Sequence, residues 1–241
     1  MKISIIVPAF NEEKLLASTL ASIKTASASF TSIAWEVELI VCDNNSTDRT
    51  AELAAAAGAS VIFEPVNQIG RARNRGASAA TGDWLIFVDA DSHPTAELFA
   101  EVAEAIQSGW FLAGGCTVRL EGPYPVAKLI TATWNVLSRI RKWAAGSFIF
   151  CDRAAFQKIG GFNNELFVSE EIDLFKRFHG LAKQARKRIV ILHHHPLLTS
   201  ARKMHLYSKR EHLRFLVRTI LQSGKSLRKR EECFTWYDGR R

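Results

Sequence analysis

"DWLIFVDADS", residues 83–92, decides how this chain is read. Leu85, Ile86, Phe87 and Val88 make a short apolar run, the pattern of a strand buried on both faces. The run stops abruptly at Asp89-Ala90-Asp91. In an extended chain residues i and i+2 point the same way, about 7 Å apart. Two carboxylates therefore share one side where a buried strand surfaces. Such a pair can ligate a hard divalent cation and accept hydrogen bonds from ribose hydroxyls or metal-bound water. An acidic surface turn would also read this way, since Asp is common in turns.

Three earlier units repeat the pattern. "ISIIVPAF" (3–10) is a β-branched apolar run, followed by "NEEKLLASTLASIKTA" (11–26) with Leu16, Leu20 and Ile23 at helical spacing. "VELIVC" (37–42) precedes "STDRTAELAAAAG" (46–58), a helix with an acidic first turn. "ASVIFEP" (59–65) precedes "GRARNRGASAATG" (70–82), a helix closed by Gly82. Strands alternating with helices predict an α/β fold with one mostly parallel central sheet flanked by helices, a Rossmann-like nucleotide-binding half followed by an acceptor half. Ligands of such sheets sit at the carboxyl ends of the strands. Pro8 to Glu12, Asp43 to Ser46 and Asp89 to Asp91 all fall there.

Beyond residue 92 the rhythm weakens. Helices are expected at 95–109, 127–143, 153–162 and 170–180, and strands at 110–120, 145–151 and 187–192. A basic amphipathic helix is expected from Met204 to about Leu227. No linker or low-complexity segment interrupts the 241 residues, so one domain is expected over 1–241: a nucleotide-sugar-binding half at 1–92, an acceptor and catalytic half at 93–203, and a basic helix and tail at 204–241.

Composition narrows the classes. Hydrophobic content of 47% is that of a soluble globular protein, and no apolar run approaches the roughly 20 residues of a membrane span. The apolar start ends at Phe10 and reads as a first strand rather than a signal peptide, so a cytoplasmic location is expected. Cys42, Cys116, Cys151 and Cys233 form no CxxC pair and read as buried free thiols. The net charge of +8 is concentrated late, which favours an anionic partner: a phosphorylated substrate, an anionic membrane surface at the inner face of the membrane, or nucleic acid. Arginines gathered beside acidic strand ends argue against nucleic acid, because the acids repel a phosphate backbone.

No glycine-rich phosphate loop follows the first strand; "PAFNEE" stands in its place. Bound phosphates would need a metal and the arginines of "GRARNRG", Arg71, Arg73 and Arg75, at a helix start. "SEEIDL" (169–174) reads locally as good helix design, with Ser169 as N-cap and acids in the first turn. In "LHHHPLLTSARK" (192–203), three consecutive histidines on a strand cannot all ligate one metal, because alternate side chains face opposite ways. Trp134 and Trp143 are candidates for sugar stacking or for core.

Taken in order, "SIIVPAFNEEKLLASTLASI", "ELIVCDNNSTDRT", "GRARNRGASAATGDWLIFVDADS" and "FQKIGGFNNELFVSEEIDLFKRF" resemble the inverting glycosyltransferases of family 2, which have the GT-A fold. The likeness runs from about residue 3 to 180. It implies a nucleotide-diphosphate-sugar donor, UDP- or GDP-linked, a divalent cation (Mg²⁺ or Mn²⁺), and transfer with inversion to an acceptor hydroxyl or phosphate on a lipid phosphate, a saccharide or a small metabolite. It implies nucleoside contacts from Pro8, Phe10, Asn11 and Glu12, a base contact from Asp43, nucleotide contacts from Arg71 and Asn74, a ribose contact from Asp89, and metal ligation by Asp91 with Asp89. The usual Asp-Asp-Gly-Ser is here Asp43-Asn44-Asn45-Ser46. The catalytic base falls on Glu171, where the family has aspartate, with Glu170 and Asp173 in reserve. Arg202 and Lys203 are candidates to close over the diphosphate. A catalytically inactive nucleotide-sugar binder and a sugar-phosphate nucleotidyltransferase stand as alternatives.

Overall fold

The computed structural model describes residues 1–122 and 125–200. Arg202, Lys203, Cys233 and the expected helix from Met204 lie outside the described residues. The strands are β1 (Lys2–Ala9), β2 (Glu36–Asp43), β3 (Ser60–Phe63), β4 (Trp84–Val88), β5 (Ser92–His93), β6 (Phe111–Leu120), β7 (Phe148–Asp152) and β8 (Arg188–Thr199). The helices are α1 (Leu16–Ala26), α2 (Ala28–Thr31), α3 (Thr50–Ala56), α4 (Ile69–Ala79), α5 (Ala96–Gln107), α6 (Pro125–Arg141), α7 (Arg153–Lys158) and α8 (Glu170–Gln184). Among the described residues no helix is long and apolar enough to cross a membrane.

All eight strands form one sheet, in the order β3-β2-β1-β4-β7-β6-β8-β5. The first four run parallel, as their βαβ connections require. β7 then enters antiparallel between β4 and β6, and β6 and β8 run parallel to each other. The α/β architecture expected from the sequence is thus present, with its later half mixed. Ile3, Ile5, Val7, Ile86 and Val88 pack with α1 and α5 on one face. Ile6, Leu85, Phe87 and Ile149 pack with α4, α7 and α8 on the other. This two-faced burial is why β1 and β4 read as unbroken apolar runs.

Three local expectations change. α4 ends at Ala79, and Ala80 is already extended. Gly82 therefore closes no helix; it lets the chain pass Ser4, whose Oγ would lie 2.5 Å from an added Cβ. The last strand does not stop at 192 but continues to Thr199. Its ladder with β6 slips there, Cys116 facing Leu192 and Val118 facing Leu197, so all three histidines bulge to the surface. Cys42, Cys116 and Cys151 are free buried thiols as expected, and burial pushes the first two up to about 12, which keeps them inert.

Candidate functional site

Parallel pairing brings the expected strand ends together. Ala9 lies opposite Asp43, and β4 flanks β1 on its other side, so the segments after β1, β2 and β4 emerge at one edge. Pro8 is buried within β1, opposite Cys42, while Phe10 is half-buried just beyond it. Asn11 takes φ +53, its Oδ1 accepts from Thr47 N at 2.8 Å, and its N–H donates to Ser46 Oγ at 3.0 Å. Glu12 is buried; its N–H donates to Thr50 Oγ1 and its carbonyl accepts from Leu15 and Leu16, starting α1. These bonds stitch the loop after β1 to the loop after β2.

Asp43 is buried, and its Oδ1 accepts from Ser46 N at 3.1 Å. The two departures from the usual motif have local reasons. Asn45 takes φ +66, a left-handed conformation that Asn tolerates in place of Gly. Asn44 is buried, donating through Nδ2 to the carbonyls of Glu64 and Val66 and accepting from Gln68 N. A carboxylate could not donate those two bonds. Asn44 therefore pins the segment that leads into α4.

Gln68, at the start of α4, is itself buried. It donates to the carbonyls of Asn164 and Leu166 and accepts from Arg71 Nε at 3.0 Å. Asn74 is engaged within the protein: Oδ1 accepts from Phe162 N at 2.9 Å, and Nδ2 donates to Phe162 O and Asn164 Oδ1. Its amide holds the "GGF" loop against α4, which competes with the nucleotide contact expected of it.

The centre of the site is Arg73, which sequence reasoning named only as one of three helix arginines. It is fully buried, 1% exposed. Nη1 donates to Glu170 Oε1 at 2.7 Å; Nη2 donates to Asp89 Oδ1 and to Gly146 O, each at 2.8 Å. Its guanidinium lies over the Phe162 ring, 5.2 Å from the centroid. Burial disfavours the charged form, but Asp89 and then Glu170 raise Arg73 above its ordinary value, so the cation is secure. The acids of the β4 edge and those of α8 thereby meet at one group.

The three acids of α8 are sorted by their surroundings. Glu170 is buried and paired with Arg73; burial raises its carboxyl. Asp173 accepts from Arg177 Nη2 at 2.6 Å, and Arg177 also binds the Ile159 and Gly161 carbonyls. Glu171 is half-buried at its surface, and among the described residues it has no ion-pair partner. Desolvation of its carboxyl, with the Glu170 charge next, pushes it up to about 8. Ser169 occupies the N-cap position but takes φ +65 and gives no side-chain cap, contrary to the expected serine cap. Strain of this kind gathers at functional sites.

Asp91 is half-buried, two residues beyond Asp89, and its carbonyl accepts from Ser200 N. Among the described residues no three His, Cys, Asp or Glu side chains are grouped to hold a metal ion. The histidines at 193–195 lie elsewhere: His195 Nδ1 is 2.5 Å from Glu101 Oε1 on α5. Trp134 packs on the core, and the Trp143 ring has Arg141 at 5.7 Å and Lys176 at 5.9 Å from its centroid.

A family model described as glycosyl transferase family 2 matches residues 4–162. A glycosyltransferase of Mycobacterium bovis is 33% identical over 113 residues, 47% of this chain and 47% of the relative. The chain thus spans about half the length of the first curated relatives it matches. Among solved structures, a Pyrobaculum calidifontis mannosyltransferase in complex with GDP-mannose and Mn²⁺ superposes with TM-score 0.66 at 18% identity, over 88% of this chain and 59% of that one. Staphylococcus aureus TarS in complex with UDP-GlcNAc gives TM-score 0.64 at 21% identity, over 98% and 69%. These two likenesses speak for the fold.

Proposed function

The chain belongs to glycosyl transferase family 2, and from that premise we propose that it moves a sugar from a nucleotide-diphosphate-sugar, UDP- or GDP-linked, to an acceptor hydroxyl or phosphate, with inversion at the anomeric carbon. The observation that carries this reading is Arg73, which couples Asp89 of the β4 edge to Glu170, the neighbour of Glu171. Donor-side and acceptor-side acids then act in one cluster.

In this reading residues 1–92 hold the donor and 93–203 serve the acceptor. Asp43 and the loops after β1 and β2 receive the nucleoside, and Asp89 the ribose. Arg71, tethered by Gln68, faces the diphosphate. The donor set at Asp89 and Asp91 is two oxygen anions at i and i+2, and among the described residues no His or Cys completes a group of three with them. That suits Mg²⁺ or Mn²⁺, which take one or two protein carboxylates and fill their shells with phosphate oxygens and water. Asp91 would be the main ligand, with Asp89, which Arg73 also holds, beside it. An ion bound there supplies positive charge against the departing diphosphate.

Glu171 takes the proton of the acceptor hydroxyl as that oxygen attacks the anomeric carbon. The new C–O bond forms on the face opposite the breaking one, and the nucleoside diphosphate leaves with the bonding pair. Glu171 suits this better than its neighbours, because Glu170 is tied to Arg73 and Asp173 to Arg177. A base raised to about 8 also has more proton affinity than an ordinary carboxylate.

Incubation with a panel of UDP- and GDP-sugars and acceptors in Mn²⁺ tests the reading. Nucleoside diphosphate release with an inverted product is expected. Donor binding without turnover would leave a sugar-nucleotide binder, and pyrophosphate release from a nucleoside triphosphate would make the chain a nucleotidyltransferase.

A further inference from the structure

Helix α6 is inverted relative to an ordinary surface helix. Its inward side carries Thr131, Trp134, Asn135 and Ser138. Asn135 accepts from Val118 N at 3.0 Å and donates to Val118 O at 2.9 Å, while Ser138 Oγ donates to Trp143 O at 2.6 Å. Asn135 thus ties the helix to β6 by two polar bonds, beside Trp134, which packs on the core. The outward side carries the aliphatic residues: Leu129 is 69% exposed, Ile130 57%, Val136 58%, Leu137 40% and Ile140 72%. With Thr133 they fall at the i, i+1, i+4, i+7, i+8, i+11 spacing of one helical face. A contiguous exposed stripe of this kind marks an interaction surface.

Charge says what covers it. Lys128, Arg139, Arg141 and Lys142 are exposed, and no Asp or Glu occurs between Glu121 and Asp152. By helical spacing Lys128 and Arg139 border one side of the stripe and Arg141 the other. Residues 201–241 are a poor occupant, because they carry twelve Lys and Arg against four Asp and Glu. A second copy would oppose the same cations to themselves. Aliphatic side chains between flanking cations are what an in-plane helix presents to acyl chains and anionic headgroups.

We propose that α6 seats the chain on an anionic lipid surface, its aliphatic stripe in the acyl boundary and its cations among the headgroups. After Arg141 the chain turns through Lys142 (φ +54) and delivers Gly146 O to Arg73 and Ser147 O to Asp89 N. The lipid-facing helix and the acid cluster are therefore joined by one short segment. Resting on the transfer reading above, this selects a lipid-borne hydroxyl or phosphate as the acceptor class.

Flotation of the full chain tests this, with vesicles of phosphatidylcholine alone or with about one third phosphatidylglycerol. The full chain floats with the anionic vesicles, and Ile130→Asn/Ile140→Asn lowers that partition by about tenfold or more. Unaltered thermal shifts of the variant by UDP with Mn²⁺ show that its donor side is intact. If UDP shifts neither protein, the transfer reading fails while the partition result still stands on its own. Hydrogen exchange provides a second measurement should the variant not fold: α6 amides of the unaltered chain gain protection on anionic vesicles. No flotation, equal partition of the variant, no added protection, or a solution dimer that the variant dissociates without a change in partition would each overturn the proposal.

Discussion

Asp89, just past the end of β4, and Glu170, in the first turn of α8, are held by a single guanidinium: Arg73 donates to them at 2.8 and 2.7 Å. Neither acid is near the other in sequence, and α4 supplies the link. Three carboxyls, counting Glu171, surround one cation. Desolvation first, and then the charge of Glu170, raise the proton affinity of Glu171.

Removing that cation leaves the buried Glu170 and the half-buried Asp89 without their shared partner. Arg73→Met is expected to lose about 3–5 kcal/mol of stability in urea denaturation. Arg73→Lys should not restore it, because one ammonium cannot reproduce the fork that reaches Glu170, Asp89 and Gly146. Equal stability of the Lys variant and the unaltered chain would remove Arg73 from the centre of the site.

Glu171 makes stability and activity respond to pH in opposite senses. Its folded value, about 8, lies above the ordinary 4.5. The folded state therefore holds the proton more tightly, an advantage complete below pH 4.5 and lost as pH rises through 8. The unfolding free energy from urea denaturation should fall between pH 5.5 and 7.5 by up to about 1.4 kcal/mol per unit, and Glu171→Gln should flatten that slope. Transfer by the unaltered chain should rise over the same range as the base is freed, and the Gln variant should bind donor without turning it over. Persistent transfer in that variant would put the base elsewhere.

Asp91→Asn tests the cation. Calorimetric affinity for UDP in Mn²⁺ should fall by more than about tenfold, with metal-free affinity unchanged and the fold retained. Equal affinity in Mn²⁺ would dismiss Asp91 as a ligand.

Acid stability should depend on a carboxylate far from the site. Glu38 on β2 is partly buried, which alone would raise it. Bonds from Lys2, Ser4 and Thr81 more than offset this and hold it at about 2. Its contribution is present above pH 4.5 and lost as pH falls through 2. Glu38→Gln should cost about 1–3 kcal/mol at pH 7, and the deficit should shrink on acidification, as read from urea midpoints.

Gly76 separates helix propensity from packing. In an open helix Gly→Ala stabilises by about 1 kcal/mol. Here the new methyl would sit 2.5 Å from Cγ2 of the fully buried Ile6. Gly76→Ala should therefore destabilise by about 1–3 kcal/mol, visible as a lower melting temperature.

Much of the molecule is legible locally. Apolar runs bounded by turn residues mark β1, β2 and β4, since a strand covered on both faces has no polar alternation to blur it. The acids and amides at 8–12, 43–46 and 89–91 then follow to one edge, because parallel pairing aligns strand ends. Even Arg73 carried a signal: the small residues Gly76 and Ala77 mark the face of α4 that lies on the sheet, and position 73 falls on that face while 71 and 75 do not. The antiparallel entry of β7, the bulge that turns out His193 to His195, and the outward aliphatic face of α6 have no comparable signature. Periodicity shows that a helix or strand has two sides; which side meets the core depends on partners that are distant in the chain. Residue types and spacing thus determined the α/β architecture and the acidic edge. Tertiary structure alone decided that α8 brings its glutamates to that edge, because only packing places Arg73 within reach of both.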